Sequence, residues 1–338
     1  MTQSDLDQLI DQIQTSLTPS QMGIDPQKRL QPFLKKLGID LSKLPPIIHA
    51  VGTNGKGSTL AYMKAYLNKK GFKCHRYTSP HLIHYTERIE VADDPISSEV
   101  FKSILDQLKD YESLSLFDIL TLVALKVFTE NDADYCLLEA GLGGRYDSTN
   151  LDYPTYVIRA ITSISLDHQE YLGESLEQIR AEKLAVIRPQ DQVFYHQKMT
   201  SACEENLTLA QQILENGLGF KLTSQELNEL LKTLWRGRYH DITQSFSKHF
   251  GCENLGHKFY IDGAHNVSAI QALISYFGYK NVIYVVQKNT RKPQWKEVVQ
   301  EISPDHLMIV DGLDRFILTL EKEQKKTYRC LLQNAYLE

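Results

Sequence analysis

Residues 52–58 read Gly-Thr-Asn-Gly-Lys-Gly-Ser and stand between an apolar run at 47–51 and a helix-favouring stretch at 59–70. No other junction in the chain constrains the fold as strongly. A glycine-rich turn leading from a buried strand into a helix commits the backbone to strand–helix units, and such units assemble into parallel sheets. Glycines also let backbone N–H groups converge on an anion at the positive end of the following helix, which is how a chain cradles phosphate. Lys56 can then reach terminal phosphates, and the Ser58 hydroxyl can ligate Mg²⁺. The spacing departs from the common G-x-x-x-x-G-K-[ST] loop, because two residues are missing and a glycine separates the lysine from the serine. The bland alternative is a Gly-rich turn with a solvated lysine. The flanking strand and helix stand where phosphate binding needs them.

Around this junction, short apolar runs alternate with helix-like stretches. Residues 47–51, 73–78, 135–139, 156–164, 258–261, 281–286 and 306–310 read as strands, several of them β-branched and bounded by turn formers. Residues 59–70, 97–110, 117–130, 176–185, 202–215, 224–233 and 267–277 carry helical periodicity. The alternation predicts an α/β fold with a mostly parallel sheet and helices on both faces. Residues 190–198 are polar with one short apolar patch and follow Arg188-Pro189, so a domain boundary is expected near there. Ligands of such sheets gather beyond the carboxyl ends of the strands.

Composition limits the function classes. At 338 residues, 42% apolar and 23% charged, the chain reads as a soluble globular protein of two domains. Its net charge of −5 makes nucleic acid an unnatural partner. No apolar run approaches membrane-spanning length, and residues 1–18 are polar and acidic rather than signal-like, so a cytoplasmic protein with no membrane partner is expected. Cys74, Cys136, Cys203, Cys252 and Cys330 form no Cys-x-x-Cys pair, which favours free thiols over disulfides or zinc.

Polar chemistry recurs directly after the predicted strands. Ser79, in Thr-Ser-Pro-His, could offer a second hydroxyl to a cation or simply open a Ser-Pro turn. Glu139 ends a hydrophobic strand, where a carboxylate is costly without a partner such as a metal. It opens the run Glu-Ala-Gly-Leu-Gly-Gly-Arg-Tyr-Asp-Ser-Thr-Asn over 139–150, in which Arg145 offers a fork suited to a carboxylate. His168 follows a third strand in Ser-Leu-Asp-His and could ligate a metal through one ring nitrogen. Lys183, on a predicted helix, reads as an ordinary solvated charge. In the second half Asn206 falls in a helical stretch, Arg238 in a turn, and Asp262, His265 and Asn266 at a strand-to-helix junction. Helix capping and nucleotide contact are equally open there.

In order and spacing, these motifs resemble the folylpolyglutamate synthase/dihydrofolate synthase family of the Mur ligase superfamily: 52–58, 78–82, 139–150, 166–168, Leu172-Gly173, Glu182-Lys183, Gly237-Arg238 and 262–266. The resemblance runs from about residue 20 to 275. It implies a P-loop-type N-terminal domain over 1–195 that binds ATP, Mg²⁺ and folate, and a smaller, shortened Rossmann-like C-terminal α/β domain over 200–338. The implied activity is an ATP-dependent amide ligase: a folate or pteroate carboxylate is activated as an acyl phosphate and joined to L-glutamate. Carried over by position, Asn54, Gly55, Lys56, Gly57 and Ser58 would cradle ATP, with Asn206, Arg238, Asp262 and His265 reaching it from the second domain. Ser58, Ser79, Glu139 and His168 would hold two Mg²⁺ ions. Lys183 falls where the family carries a carbamylated lysine, and Lys56, His168 and Lys183 would be the catalytic residues. Phe117, Asp118, Arg145, Tyr146 and Asp147 would form the pterin-side pocket. A monomer is expected.

The chain departs from the family pattern in four places. It is shorter, with length missing around 189–202 and in the second half. Phe117-Asp118 replaces an aromatic-Glu pair, one methylene shorter in reach. Leu184-Ala185-Val186 follows Lys183 in place of Ala-Gly-Ile. Residues 287–293 match the second domain's usual pattern poorly. Two other readings compete: a Mur-like ligase acting on another carboxylate, and a catalytically silent nucleotide-binding paralogue. The loop spacing excludes a common P-loop NTPase.

Overall fold

The structure is a computed structural model of the chain. It describes residues 2–16, 23–108, 113–233, 237–244, 258–280, 282–287, 295–310 and 317–320. Cys252, Cys330 and nearly all of the poorly matching 287–293 segment lie outside these residues. Two compact units, Met1–Thr233 and Leu234–Glu338, make up the chain.

In chain order the first unit comprises α1 (Gln3–Ser16), α2 (Pro26–Lys36), β1 (Ile47–Val51), α3 (Lys56–Lys69), β2 (Cys74–Tyr77), β3 (Ile89–Val91), β4 (Asp94–Pro95) and α4 (Ser98–Gln107). Then follow α5 (Leu116–Glu130), β5 (Tyr135–Glu139), β6 (Val157–Ile161), α6 (Gln169–Leu172), α7 (Leu176–Leu184), β7 (Gln192–Tyr195), α8 (Ala202–Gln212) and α9 (Ser224–Leu230). Its seven-stranded sheet runs β4-β3-β2-β5-β1-β6-β7. The stretch from β2 to β7 is parallel throughout, and β3 and β4 add an antiparallel edge. This is the mostly parallel, helix-flanked sheet the alternation predicts.

The central strands are apolar on both sides because both sides are covered. Ile47 and Leu138 pack into one core with Leu6, Leu30, Phe101 and Phe128 of the helices on that face. Ile48, Leu137 and Ile158 pack into the other, with Leu60, Met63 and Leu67 of α3 and Leu207, Ala210 and Ile213 at α8 and its end. Fully burying a side chain of this kind stabilises by about 1.5–3 kcal/mol. Register pairs Ala50 with Glu139 and Val51 with Ile161. The segments after β1, β5 and β6 therefore leave the sheet side by side at its carboxyl edge.

Two expectations are corrected. The boundary expected near 195–200 falls inside the first unit, because residues 192–195 form β7 and pair in parallel with β6. Beyond it, α8 seals the same core as α3. An edge strand such as Gln192–Tyr195 needs only one apolar face, which is why it reads as linker in sequence. Second, Asn206 lies on α8 and so belongs to the first unit.

The second unit contains β8 (His240–Asp241), β9 (Tyr260–Asp262), α10 (Val267–Phe277), β10 (Ile283–Gln287), α11 (Trp295–Gln300), β11 (Leu307–Val310) and β12 (Ile317–Leu320). Its sheet order is β11-β10-β12-β9-β8. Of the described pairings only β10–β11 is parallel, so this is a mixed α/β sheet rather than an all-parallel Rossmann one. Ile270, Leu273, Tyr284 and Val298 form its core. Among the described residues no helix is long and apolar enough to cross a membrane.

Candidate active site

The 52–58 loop does what its glycines predict. Gly55 adopts φ +87° as the residue before α3, a left-handed conformation natural to glycine. A Cβ there would also lie 2.0 Å from Asn206 Oδ1, so the loop and α8 meet closely. The first intrahelical bond of α3 runs from Thr59 N to Gly55 O, and no side chain caps the helix. The N–H groups of Lys56, Gly57 and Ser58 thus point out of a positive helix end with no intrahelical acceptor, a geometry that fits phosphate. On the other side the loop leans on the segment after β6: Thr53 N donates to Ser163 O at 2.7 Å, and Thr53 Oγ1 accepts from Ser165 N at 3.1 Å.

Four of the predicted residues converge on this loop. Lys56 Nζ donates to the carbonyls of Thr53 at 3.1 Å and Gly52 at 3.3 Å, and stands 3.8 Å from Glu139 Oε1. Glu139 is 5% exposed, and its other oxygen accepts from Ser79 N at 3.1 Å. Lys183 Nζ, on α7, donates to Gly52 O at 2.9 Å. Burial, reinforced by the Lys56 charge, lowers the Lys183 ammonium from its usual 10.5 to about 7. The lysine that reads as solvated in sequence is thus buried and close to neutrality.

Ser58 is half-buried in the first turn of α3. His168 follows β6 in a left-handed conformation (φ 50°), uncommon outside glycine, with its ring nitrogens 3.9 Å from Asp167 and Glu170. Hydroxyls of Ser58 and Ser79 with the Glu139 carboxylate are the hard oxygen donors that suit Mg²⁺, and the imidazole adds a softer one.

The glycine loop after β5 is held by its own side chains. Asp147 accepts from Leu142 N at 2.8 Å and from the Thr149 N–H and hydroxyl, and burial raises its carboxyl above the usual range. Asp118 is 2% exposed and accepts from Arg29 Nη2 at 2.9 Å, Ser115 Oγ at 2.8 Å and Ser148 Oγ at 2.6 Å. Its carboxylate is therefore committed to α2, α5 and the loop, a bracing role the sequence does not reveal. Arg29, missed in sequence, also donates to Tyr146 O. Phe117 stacks on Tyr77 and lies where a Cβ at Gly141 would strike it. Arg145 pairs with Glu182 at 2.9 Å instead of standing free. A cleft of about 530 Å³ opens beside this loop, lined among others by Leu142, Gly144, Tyr146, Tyr171, Gln178 and Glu182. Of the five predicted pocket residues, Tyr146 alone lines it.

Within the second unit, Asp262 is buried and accepts from Tyr239 N at 2.9 Å and Ala264 N at 2.8 Å, with Arg238 at 3.4 Å. Asn266 caps α10 through Ala269 N, so the capping alternative holds for that residue. His265 is exposed, and its Nδ1 lies 2.9 Å from Gly263 O.

No protein-family model matches the chain. Curated relatives do. It is 36% identical over 170 residues to the Bacillus subtilis dihydrofolate synthase/folylpolyglutamate synthase, covering 47% of this chain and 39% of that protein. To the Saccharomyces cerevisiae dihydrofolate synthetase it is 37% identical over 165 residues, 47% of this chain and 38% of that one. Over about half of its length the chain is thus similar to folylpolyglutamate and dihydrofolate synthases. The matched stretches span little more than a third of these relatives' own length. Solved structures of such synthases share its fold. The bifunctional folylpolyglutamate synthase/dihydrofolate synthase of Yersinia pestis superposes with a TM-score of 0.70 at 21% identity, covering 97% of this chain and 92% of that one. E. coli FolC in complex with DHPP and ADP gives 0.68 at 21% identity, over 91% and 89%.

Proposed function

We propose that this chain is an ATP-dependent ligase that activates a folate or pteroate carboxylate as an acyl phosphate and joins it to L-glutamate. One observation carries the reading: Lys56, Lys183 and the Ser79–Glu139 pair converge on the glycine loop at an uncapped helix N-terminus. Related structures contain ADP, and one contains Mn, AMPPNP and L-glutamate. When bound, ATP supplies the phosphoryl group, and a divalent cation offsets the repulsion between phosphate and carboxylate.

The chain's own residues bind, orient and screen. Asn54, Gly55, Lys56, Gly57 and Ser58 hold the phosphates, with Asn206 pressed against Gly55. Ser58, Ser79, Glu139 and His168 hold Mg²⁺, two ions in this reading. Lys183, close to neutrality, presents an uncharged amine whose nitrogen can add to carbon dioxide, opening one C=O π bond and releasing one proton to solvent, so that a carbamate anion would stand beside Lys56. Tyr146 faces the acceptor, with Arg145, Asp147, Phe117 and Asp118 assigned to the wall behind it. On the second unit, Arg238, Asp262 and His265 are the residues assigned to the nucleotide. The protein acts as a cytoplasmic monomer without nucleic acid or membrane.

The test measures phosphate release from ATP alongside mass spectrometry of the product. Release is expected only with both a pteroate-type acceptor and L-glutamate, together with a product heavier by one glutamyl residue. Release with a different carboxylate but no folate favours a Mur-like ligase. Release that ignores both substrates overturns the ligase reading.

A further inference from the structure

Strands β1 and β6 each place one polar residue among apolar neighbours, His49 and Arg159, and both are fully buried. Arg159 Nε donates to Asp191 at 2.7 Å, with both side chains 1% exposed. Its Nη1 meets His49 Nδ1. A guanidinium has donors only, so Nδ1 accepts and carries no proton. Burial, and after it the charges of Arg159 and Arg188, hold the imidazole well below its ordinary range, so the ring is uncharged. Its single proton then sits on Nε2, which donates to Thr149 Oγ1 at 2.8 Å. That leaves the Thr149 hydroxyl proton for Asp147 Oδ1. Every bond runs one way: Arg159 to His49, His49 to Thr149, Thr149 to Asp147. The second Asp147 oxygen accepts from Leu142 N, and Leu142 lines the cleft.

We propose that His49 is a positioning residue for the acceptor site: through Thr149 it orients the Asp147 carboxylate and fixes the 142–147 wall of the cleft. The proposal takes the identity of the acceptor from the ligase reading above, whereas the loop it positions does not depend on that reading. A buried ionic network of this kind adds little stability over well-packed apolar residues. What this one adds is direction. Arg159 forces one tautomer on His49, and that tautomer forces one orientation on the Thr149 hydroxyl.

The experiment compares Thr149→Val, His49→Gln and His49→Leu with the wild-type chain. Thr149→Val keeps the shape and deletes the donor; the acceptor KM should rise about three- to tenfold, the worth of one hydrogen bond. KM for ATP and kcat should each move less than about twofold on the same scale. The His49→Gln amide can accept from Arg159 and donate to Thr149, and should retain most of the affinity. His49→Leu can do neither, and His49→Leu/Thr149→Val should be no worse than His49→Leu alone, since both changes cut one chain. Hydrogen exchange supplies a readout that needs no substrate. Amides 142–147 should exchange faster in Thr149→Val and His49→Leu, with amides 53–59 unchanged. Equal rises in both KM values, or unchanged exchange at 142–147, would overturn the proposal. Should His49→Leu fail to fold, Thr149→Val and His49→Gln decide it. If the wild-type chain ligates no pteroate-type acceptor, the ligase reading fails while the exchange result still decides the positioning role.

Discussion

The two glycine loops at the carboxyl edge of the large sheet are built on opposite principles. Residues 52–58 use backbone: glycine conformations, an uncapped helix end, and carbonyls that hold Lys56 and Lys183. The loop after β5 uses side chains: Asp147, Thr149 and Asn150 bond back to their own loop, and Asp118 with Arg29 braces it from outside. A phosphate is the same anion in every nucleotide, and a fan of N–H groups is enough to receive it. If the second loop walls the acceptor site as proposed, telling one acid from another calls for walls of fixed shape, which buried, bonded side chains provide. The difference teaches that glycine serves opposite ends here, exposing backbone in the first loop and admitting close neighbours in the second. Lys183 belongs to both. Its side chain reaches Gly52, and its carbonyl lies 2.4 Å from where a Cβ on Gly144 would stand.

The comparison breaks most visibly at Arg29. Its guanidinium and Asp118 are 8% and 2% exposed, so Arg29→Met strands a buried carboxylate. A loss of about 3–5 kcal/mol in urea unfolding is expected, with Arg29→Met/Asp118→Asn recovering part of it. Nucleotide affinity of the folded fraction should hold. An equal loss of nucleotide affinity would mean that the two loops are not separately built.

Next comes Gly55→Ala, which strains φ +87° and drives a methyl into Asn206. Nucleotide affinity by calorimetry should fall about ten- to a hundredfold, on the order of 1–3 kcal/mol, with Gly55→Ala/Asn206→Gly recovering only the steric share. Acceptor-side hydrogen exchange should not move. Wild-type nucleotide affinity in Gly55→Ala would remove the phosphate role of this loop.

The last test, smallest in the change it reads per pH unit, addresses the shared residue. Lys183 titrates near 7 in the fold and near 10.5 when unfolded, so between these values the unfolded chain binds more protons. Its penalty is fully present below pH 7 and is relieved as pH rises towards 10.5. In carbon-dioxide-free buffer, Lys183→Met should be the more stable chain at pH 6, its advantage shrinking by at most about 1.4 kcal/mol per pH unit as pH rises. A pH-independent difference between the two chains would contradict a buried, near-neutral lysine.

Much of this was legible in sequence where a residue's neighbours settle its state. The central strands are apolar on both faces, and 267–277 matches α10 end to end. The loop at 52–58 announces itself as a strand-to-helix turn through its glycines. What escaped depends on partners distant in the chain. Lys183 looks solvated until Gly52 and Lys56 surround it. Asp118 looks like a substrate ligand until Arg29, 89 residues earlier, claims it. Asn206 looks like part of a second domain until β7, a short apolar patch in a polar stretch, carries the first sheet one strand further. His49 and Arg159 did leave a signal, a titratable group inside each of two apolar strands, and its meaning lay in their being neighbours across the sheet.

The seal of α8 against α3 also marks where the molecule can be divided. A fragment ending at residue 195 would keep the phosphate loop but lose Leu207, Ala210, Ile213 and Leu214, uncovering Leu60, Met63 and Leu67. One ending at Thr233 would keep both core faces, both loops and the Asn206 contact. Protein engineers wishing to graft this nucleotide loop onto another scaffold should therefore move α8 with it.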